Sequence, residues 1–506
     1  MNRFLTAAVA VSTVALLMTS CTKHQQNPPA PPPPPPPNPT QVADKPVTEE
    51  PSGLRPGAPG PTRPIDNGDN GDVDKLAALS IADIEQFWTG AYPTWFKGKF
   101  NPVTELFSWD ERFKHGKFCG EDTYDVYNAM WCQAEPSTQN CTSAEPPKCT
   151  PSNNTIGWDR GGLMPDMRDT AGDLGVPLVL SHEYGHSIQY TMADLIHGDS
   201  VEWATTGEQQ ADCFAGVYMR WVVDGKSPRF TLNNGDGLNK VMIAMIMLRD
   251  PLLAQVDPEQ ATLVHGSAFE RVTAFQMGFD GGGSACATID PQEIAQRRAS
   301  YPKDFLTPGK TGEVPITQDS VKANVEALTK AFSPADPPKV SFDPASCPDA
   351  KTTPPASYCP STNTINVDLN RLVLLGTRLS RGSPMSGSMM TLSGDYTAFS
   401  TVLSRYMLAV QKQHGGLALD NANAGLRTAC LTGVASAKLA KGVPISDGNT
   451  VQLTAGDLDE AVFGLLTNGL VASNVNGDYA PSSFARVDAF RAGVLGDQDG
   501  CLKQFS

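Results

Sequence analysis

Two of the histidines in this chain stand in a pattern that can bind a metal ion. Only seven histidines occur in 506 residues, and His182 and His186 flank Glu183 in the string HEYGH. Residues four apart share one face of a helix, so both imidazoles can reach one ion. EQQAD follows at 208–212 and places Glu208 as a third ligand. Two histidines and one glutamate around zinc leave a position open to water, which predicts a hydrolytic site.

The residues beside the ligands have the chemistry that such a site needs. Zinc lowers the pKa of its bound water toward 7, and Glu183 would accept that proton and later pass it to the leaving amine. Asp212 lies one turn after Glu208. Its carboxylate can accept the second ring N–H of a ligating histidine and fix the orientation of the ring. A pair of surface histidines on an ordinary helix is the alternative, and Glu208 and Asp212 at this spacing argue against it.

These residues must be positioned by helices and short strands. Pro177 suits the first turn of a helix that runs through the zinc motif, and residues 81–96 have helical apolar spacing. The apolar run 241–248 predicts a buried core helix. TIGWD at 155–159 and TINVD at 364–368 are predicted strands. We expect TIGWD to lie along the cleft edge and to hold an extended peptide by backbone pairing.

The chain contains an internal repeat. The matching segments, in order, are CTPSNNTIGWD at 149–159 with CPSTNTINVD at 359–368, DCFAGV at 212–217 with ACLTGV at 429–434, and RVTAF at 271–275 with RVDAF at 486–490. We infer a duplication, with a zinc metallopeptidase domain at 76–310 and a degenerate copy at 311–506.

The second copy lacks the proposed site residues. Alignment on the repeats places Glu208 on Gly425, Asp212 on Ala429 and His265 on Ala480. We therefore expect that only the N-terminal unit binds zinc, with one Zn²⁺ per chain.

The cysteine count and the repeat together predict a set of disulfides. Ten cysteines remain after Cys21, and an even number in an exported protein suggests disulfide bonds. The repeat makes two pairs of bonds equivalent, and two further cysteines fall in an insertion of the first unit. The predicted bonds are Cys213–Cys286 with its equivalent Cys430–Cys501, Cys119–Cys149 with its equivalent Cys347–Cys359, and Cys132–Cys141.

The N-terminus is typical of an export signal. Residues 1–20 contain a positive charge and an apolar segment, and Cys21 follows as in a bacterial lipobox, where the thiol is lipidated. An ordinary signal or a signal anchor, with Cys21 incidental, is the alternative. Residues 21–75 are rich in proline and glycine and predict a disordered tether. We therefore expect an exported chain that is lipid-anchored to the cell membrane and faces the cell wall or periplasm.

The segments LSHEYGHSIQ and EQQADCFAGVY resemble the bacterial neutral zinc metallopeptidase family, which pairs HExGHxxQ with ExQADCFAG. The segment 265–289 is similar to the ending of that family, and the resemblance covers roughly 115–290. It implies a zincin fold and a gluzincin-like ligand set, in an α+β, helix-rich domain. With the lipobox, the whole chain resembles actinobacterial lipoprotein peptidases of the LpqM type. The second half is not part of the ordinary single-unit family.

The expected function is that of a membrane-tethered, extracytoplasmic zinc endopeptidase acting on a protein or peptide substrate. His265 is a candidate for polarising the substrate carbonyl or stabilising the oxyanion, and equally for a structural histidine on a loop. The net charge of −15 argues against a nucleic-acid partner. The alternatives are a non-catalytic zinc-containing scaffold lipoprotein and an amidase that cleaves cell-wall peptides.

Overall fold

The computed structural model describes most of the chain beyond its N-terminal segment. The described residues are 38–61, 63–114, 116–133, 154–192, 201–250, 265–298, 312–343, 346–377, 380–382, 389–391, 393–454 and 456–506. The predicted signal peptide, the lipidation site Cys21 and the cysteines Cys141 and Cys149 lie outside these ranges.

The first half contains small sheets and eight named α-helices. Its strands are β1 (Gln41–Val42), β2 (Lys45–Pro46), β3 (Gly53–Leu54), β4 (Glu105–Trp109), β5 (Lys117–Phe118), β6 (Glu121–Asp122), β7 (Ala129–Gln133), β8 (Asn154–Asp159) and β9 (Phe230–Thr231). Its helices are α1 (Asp72–Trp95), α2 (Leu163–Ala171), α3 (Gly175–Thr191), α4 (Val201–Val223), α5 (Asp236–Met247), α6 (Ala268–Gly281), α7 (Gly283–Cys286) and α8 (Pro291–Arg298).

The second half follows the same general order of helix, sheet and helices. Its strands are β10 (Lys339–Ser341), β11 (Ala356–Cys359), β12 (Thr364–Val367), β13 (Ser380–Gly382), β14 (Met389–Thr391), β15 (Val443–Pro444) and β16 (Thr450–Val451). Its helices are α9 (Gln318–Phe332), α10 (Leu369–Leu375), α11 (Asp395–His414), α12 (Ala422–Ala440), α13 (Asp457–Thr467), α14 (Ser483–Leu495) and α15 (Gln498–Gln504). Helices therefore dominate, and the small sheets are compatible with the predicted α+β class.

The sheet next to the zinc motif has three strands in the order β4-β8-β7. Strand β8, which contains TIGWD, runs parallel to β4 and antiparallel to β7, and all six of its residues are buried. The prediction that TIGWD forms the cleft edge is wrong, because β8 has a hydrogen-bonded neighbour on each side. Strand β7 is an outer strand of this sheet, and its residue Trp131 pairs in register with Ile156 of β8.

The second half contains a sheet with the same arrangement. Its order is β10-β12-β11, in which β12 runs parallel to β10 and antiparallel to β11. Each half also packs two helices closely, α4 on α6 and α12 on α14. A Cβ atom at Gly278 would lie 1.9 Å from the carbonyl oxygen of Cys213, and one at Gly493 would lie 1.7 Å from that of Cys430. Only glycine allows this close approach of the helices.

The structure contains four disulfides among the described residues. Three of them join the residues that the repeat analysis paired: Cys213–Cys286, Cys430–Cys501 and Cys347–Cys359. The fourth joins Cys119 to Cys132, whose Cα atoms are 5.6 Å apart. This bond contradicts the predicted pairs Cys119–Cys149 and Cys132–Cys141, because each thiol forms a single disulfide. The repeat could not place Cys132, since the insertion that carries it has no counterpart in the second half.

The part of the predicted tether that the structure describes is packed against the folded chain. Val42 is 2% exposed, the backbone N–H of Thr48 donates to Asn234 Oδ1 at 2.7 Å, and β3 pairs with β9. The prediction of disorder across 21–75 is therefore wrong for its C-terminal part. The residues that this segment contacts lie about 180 positions further along the chain. The composition of the segment alone does not reveal such pairing.

The two halves are not separate bodies. Residues Pro37–Ser506 form one compact unit, so the predicted division at 310/311 falls inside it. Within the described part of the chain, the helices are too short or too polar to cross a membrane.

Candidate metal centre

The zinc motif lies on α3, which packs directly on α4. A Cβ atom at Gly185 would lie 2.8 Å from Cα of Ala211, so the glycine between the two histidines allows the helices to approach closely. This approach brings His182 and His186 of α3 up to Glu208 of α4. The two helices thus join side chains that the sequence separates by more than twenty residues.

The three predicted ligands converge on one point. Their ligand atoms all lie within 4.8 Å of one another. Glu208 Oε2 is 3.1 Å from His182 Nε2 and 3.6 Å from His186 Nε2. The arrangement is that of two imidazoles and one carboxylate facing a common centre, which is a donor set that suits zinc.

The outward ring nitrogens of both histidines have acceptors. His182 Nδ1 is 2.7 Å from Asp212 Oδ1, as the sequence predicted for Asp212, and His186 Nδ1 is 3.0 Å from Gln189 Oε1. An acceptor at Nδ1 fixes the tautomer that leaves Nε2 free to bind a metal. Gln189 is not among the site residues predicted from the sequence, although it lies three residues after His186 on the same helix face.

Asp212 is held in turn by Arg271 of α6. The guanidinium donates through Nε to Asp212 Oδ2 at 2.8 Å and through Nη2 to Oδ1 at 2.6 Å, and both side chains are buried. Burial opposes ionisation of Asp212, but Arg271 and His182 outweigh it and lower the pKa of this carboxyl. In the sequence, Arg271 stands out only as part of the repeated segment RVTAF.

Glu183 is held beside the ligands by the edge strand. The backbone N–H of Trp131 in β7 donates to Glu183 Oε2 at 2.9 Å. Burial raises the pKa of Glu183 above its usual range, and the two neighbouring histidines oppose that shift. A carboxylate whose pKa moves toward neutrality is better matched to proton transfer at neutral pH.

The charges at the centre favour a cation. Burial raises the pKa of Glu208, but His186 and His182 outweigh it and hold the pKa well below its usual range. Burial lowers the pKa of His182, whereas Asp212 and Glu208 raise it to about 10. With both imidazoles neutral, as metal ligands must be, the carboxylates of Glu183, Glu208 and Asp212 face the single permanent positive charge of Arg271. Such a surplus of negative charge attracts a divalent ion.

His265 lies beside Glu208 but is not one of the three residues whose ligand atoms converge. Its Nε2 is 3.5 Å from Glu208 Oε2, and its ring centroid is 6.5 Å from that of His182. Asp250 holds it from behind, because Oδ1 accepts the backbone N–H of His265 at 3.1 Å and lies 3.2 Å from Nδ1. The side chain is 39% exposed, so a substrate can reach it from solvent.

Comparison with known proteins agrees with this geometry. Residues 140–289 match the model of the family described as "Putative neutral zinc metallopeptidase". The match suggests a zinc metallopeptidase, which implies Zn²⁺ and a peptide or protein substrate, and it includes His182, Glu183, His186, Glu208, Asp212, His265 and Arg271. Neither the search of curated proteins nor that of solved structures gives a match.

Proposed function

We propose that this chain is an exported, membrane-anchored zinc endopeptidase with one metal site, in its first half. The observation that supports this most directly is the convergence of His182, His186 and Glu208, with Glu183 held next to them by the edge strand. Zinc, when bound, supplies Lewis acidity that makes water a better nucleophile at neutral pH.

The residues of the chain then divide the work of peptide hydrolysis. Glu183 is fixed through Oε2 by Trp131, and its carboxylate accepts a proton from the attacking water. The same group returns that proton to the leaving amine nitrogen, so it acts first as base and then as acid. Asp212 and Gln189 keep Nε2 of each histidine directed at the metal, and Arg271 keeps Asp212 ionised.

The substrate is proposed to bind in extended form along the edge of β7 that faces the metal site. The backbone groups of Trp131 turn away from β8, since its N–H donates to Glu183. Pairing of a peptide backbone with an open strand edge holds it without regard to most of its side chains. His265 Nε2, which lies 3.5 Å from Glu208 Oε2, would donate to the carbonyl oxygen of the scissile bond.

A single substitution tests the proposal. Replacing Glu183 with Gln removes the base but none of the ligands, so we expect cleavage of a diverse peptide and unfolded-protein panel to fall between about 100-fold and about 10,000-fold. Zinc content, measured by atomic absorption, should stay at one per chain. Glu105→Gln, at an exposed position on β4, is the matched control. Unchanged cleavage in Glu183→Gln would refute the mechanism.

Two other functions use the same site and are outcomes of this experiment. A non-catalytic scaffold lipoprotein would give no cleavage in wild type or variant, and it would not need a carboxylate held at the position of Glu183. A cell-wall amidase would cleave cell-wall peptides in the panel and spare unfolded proteins.

The anchoring part of the proposal depends on Cys21. Lipidation at its thiol would tether the chain to the outer face of the membrane. Labelling of growing cells with radioactive palmitate should mark the wild-type chain and leave Cys21→Ala unlabelled. Equal labelling of both would remove the anchor from the proposal.

A further inference from the structure

One buried carboxylate of the second half, that of Asp459, contacts the first half. Asp459 lies in the first turn of α13 and is 4% exposed. Its Oδ2 is 3.0 Å from Nε of Arg249, and both side chains are 5% exposed. Its Oδ1 accepts the backbone N–H of Phe269 at 3.3 Å, in the first turn of α6.

Both contacts adjoin the residues that hold His265. Arg249 directly precedes Asp250, whose carboxylate accepts the backbone N–H groups of His265 and Gly266. Phe269 lies on the helix that begins just after this pair. Asp459 therefore connects the segment before the Asp250–His265 contact with the helix after it.

The same helix carries the support for the first ligand. Arg271 lies two residues after Phe269 and makes the paired contact with Asp212 that orients His182. A carboxylate at a helix N-terminus is stabilised by the unpaired N–H groups and the dipole of the helix. Asp459 thus stabilises the end of α6 that is nearest to the metal centre.

We propose that Asp459 is a positioning residue for the proposed peptidase reaction, through which the second half completes the active site of the first. The inference rests on the proposed function. Its carboxylate fixes Arg249 and the start of α6, and thereby the place of His265 beside Glu208. The second half, which does not itself carry the zinc motif, is in this view required in cis for the geometry of the site.

A second acidic residue of the same half offers a matched control. Asp488 on α14 pairs with Arg491 at 2.6 Å, and Arg491 Nη1 donates to Gln276 Oε1 of α6 at 3.3 Å. Asp488 is also largely buried, with 15% of its side chain exposed. It therefore acts on the same helix through an arginine, but beyond the first turn and away from His265.

The test compares Asp459→Asn with Asp488→Asn in the full chain, each with and without His265→Ala. We expect Asp459→Asn to lower kcat about tenfold, since small displacements of catalytic groups cost up to about 100-fold. KM should change less than about twofold and zinc content should stay at one per chain. In the His265→Ala background, Asp459→Asn should lower kcat less than about twofold further, because the imidazole that Asp459 positions is absent. In both backgrounds, Asp488→Asn should leave kcat within about twofold of its value without that substitution.

A readout independent of turnover accompanies the kinetics. Amide hydrogen exchange, followed by mass spectrometry, should be faster over 265–275 in Asp459→Asn than in wild type, and should be unchanged there in Asp488→Asn. If the wild-type chain cleaves nothing, the proposed function fails, and the exchange data still decide whether Asp459 orders this segment.

Two results would overturn the inference: an equal kcat loss from Asp459→Asn with and without His265, or equal exchange over 265–275 in both aspartate variants. If Asp459→Asn does not fold, the double variant Arg249→Met with Asp459→Leu removes both charges and keeps the packing. It should fold with faster exchange over 265–275 and lower kcat. Wild-type exchange and kcat in that variant would also overturn the inference.

Discussion

Helices α4 and α12 each carry a cysteine that is bonded to the C-terminal part of its own half, but the residue before that cysteine differs. It is Asp212 in the first half and Ala429 in the second. The two halves share their three-stranded sheet order, the close packing of their paired helices and these disulfides. This framework therefore forms with or without the carboxylate that holds the ligand His182 in the first half.

The arginines that face these two positions differ in the same way. Arg271 makes a two-point contact with Asp212. Arg486, which the repeat aligns with Arg271, is 3% exposed and stacks on the ring of Tyr479 at 5.2 Å. Its Nε has no hydrogen-bond partner among the described residues, and burial lowers its pKa to about 10. The second half therefore has a buried cation at the aligned position without an acid like the one that pairs with Arg271 in the first half.

The largest expected effect concerns the metal, because only one half should bind it. Replacing His182 with Ala should reduce zinc from one per chain to none and abolish cleavage, since the remaining pair of ligands cannot complete the site. His414→Ala, at an exposed position at the end of α11, should change neither. Zinc content by atomic absorption checks both variants. Two zinc ions per wild-type chain would end the distinction between the halves.

The next largest effect is a difference in stability between variants of Arg271 and Arg486. Arg271→Met leaves Asp212 buried without its cation and should lower the free energy of unfolding by about 3–5 kcal/mol. Cleavage should fall as well, because His182 loses its orientation. Arg486→Met removes a buried charge that has no acid partner and should be neutral or stabilising by about 1 kcal/mol. Urea unfolding of the two variants provides the measurement, and equal destabilisation would contradict the comparison.

The disulfides should show where the halves are alike. Cys213–Cys286 spans 73 residues and Cys430–Cys501 spans 71, and closing loops of this length contributes up to about 4 kcal/mol in the chain-entropy model. We expect replacement of either pair by serine to lower the free energy of unfolding by a similar amount, about 2–4 kcal/mol. The same urea experiment measures both variants. If replacement of only one cysteine pair lowers the free energy of unfolding, then only that half depends on its disulfide.

The smallest effect depends on pH and belongs to the first half. Glu111, which follows β4, is 1% exposed, and burial together with Asp159, Asp125 and Asp110 raises its pKa to about 7. Asp343, soon after the equivalent strand β10, is exposed. Because the pKa of Glu111 is higher in the folded than in the unfolded chain, the free energy of unfolding falls as pH rises from about 4.5 to about 7.

Replacing Glu111 with Gln should therefore raise the free energy of unfolding at pH 8 and leave it unchanged at pH 4. Asp343→Asn should leave the pH dependence as it is in wild type. Urea unfolding at the two pH values is the measurement. A stabilisation of equal size at both would show that Glu111 is ionised throughout this range.

The amino-acid sequence by itself determined the parts of the site that depend on local spacing. His182 and His186 share a helix face because they are four residues apart, and Glu208 and Asp212 repeat that spacing on the next helix. The internal repeat likewise indicated the pairs Cys213–Cys286 and Cys430–Cys501, since equal spacing in two copies limits the partners. Helical periodicity and repetition are both properties of the chain before it folds.

Only the tertiary structure decided the contacts between distant segments. Strand β7, rather than β8, is the edge because β4 occupies the other side of β8, and Cys119 pairs with Cys132 because β7 brings that thiol close. The contact of Arg271 with Asp212 and that of Asp459 with Arg249 likewise join segments that lie far apart along the chain. Strand order and helix packing are set by burial of the whole core, which no local pattern of residues records.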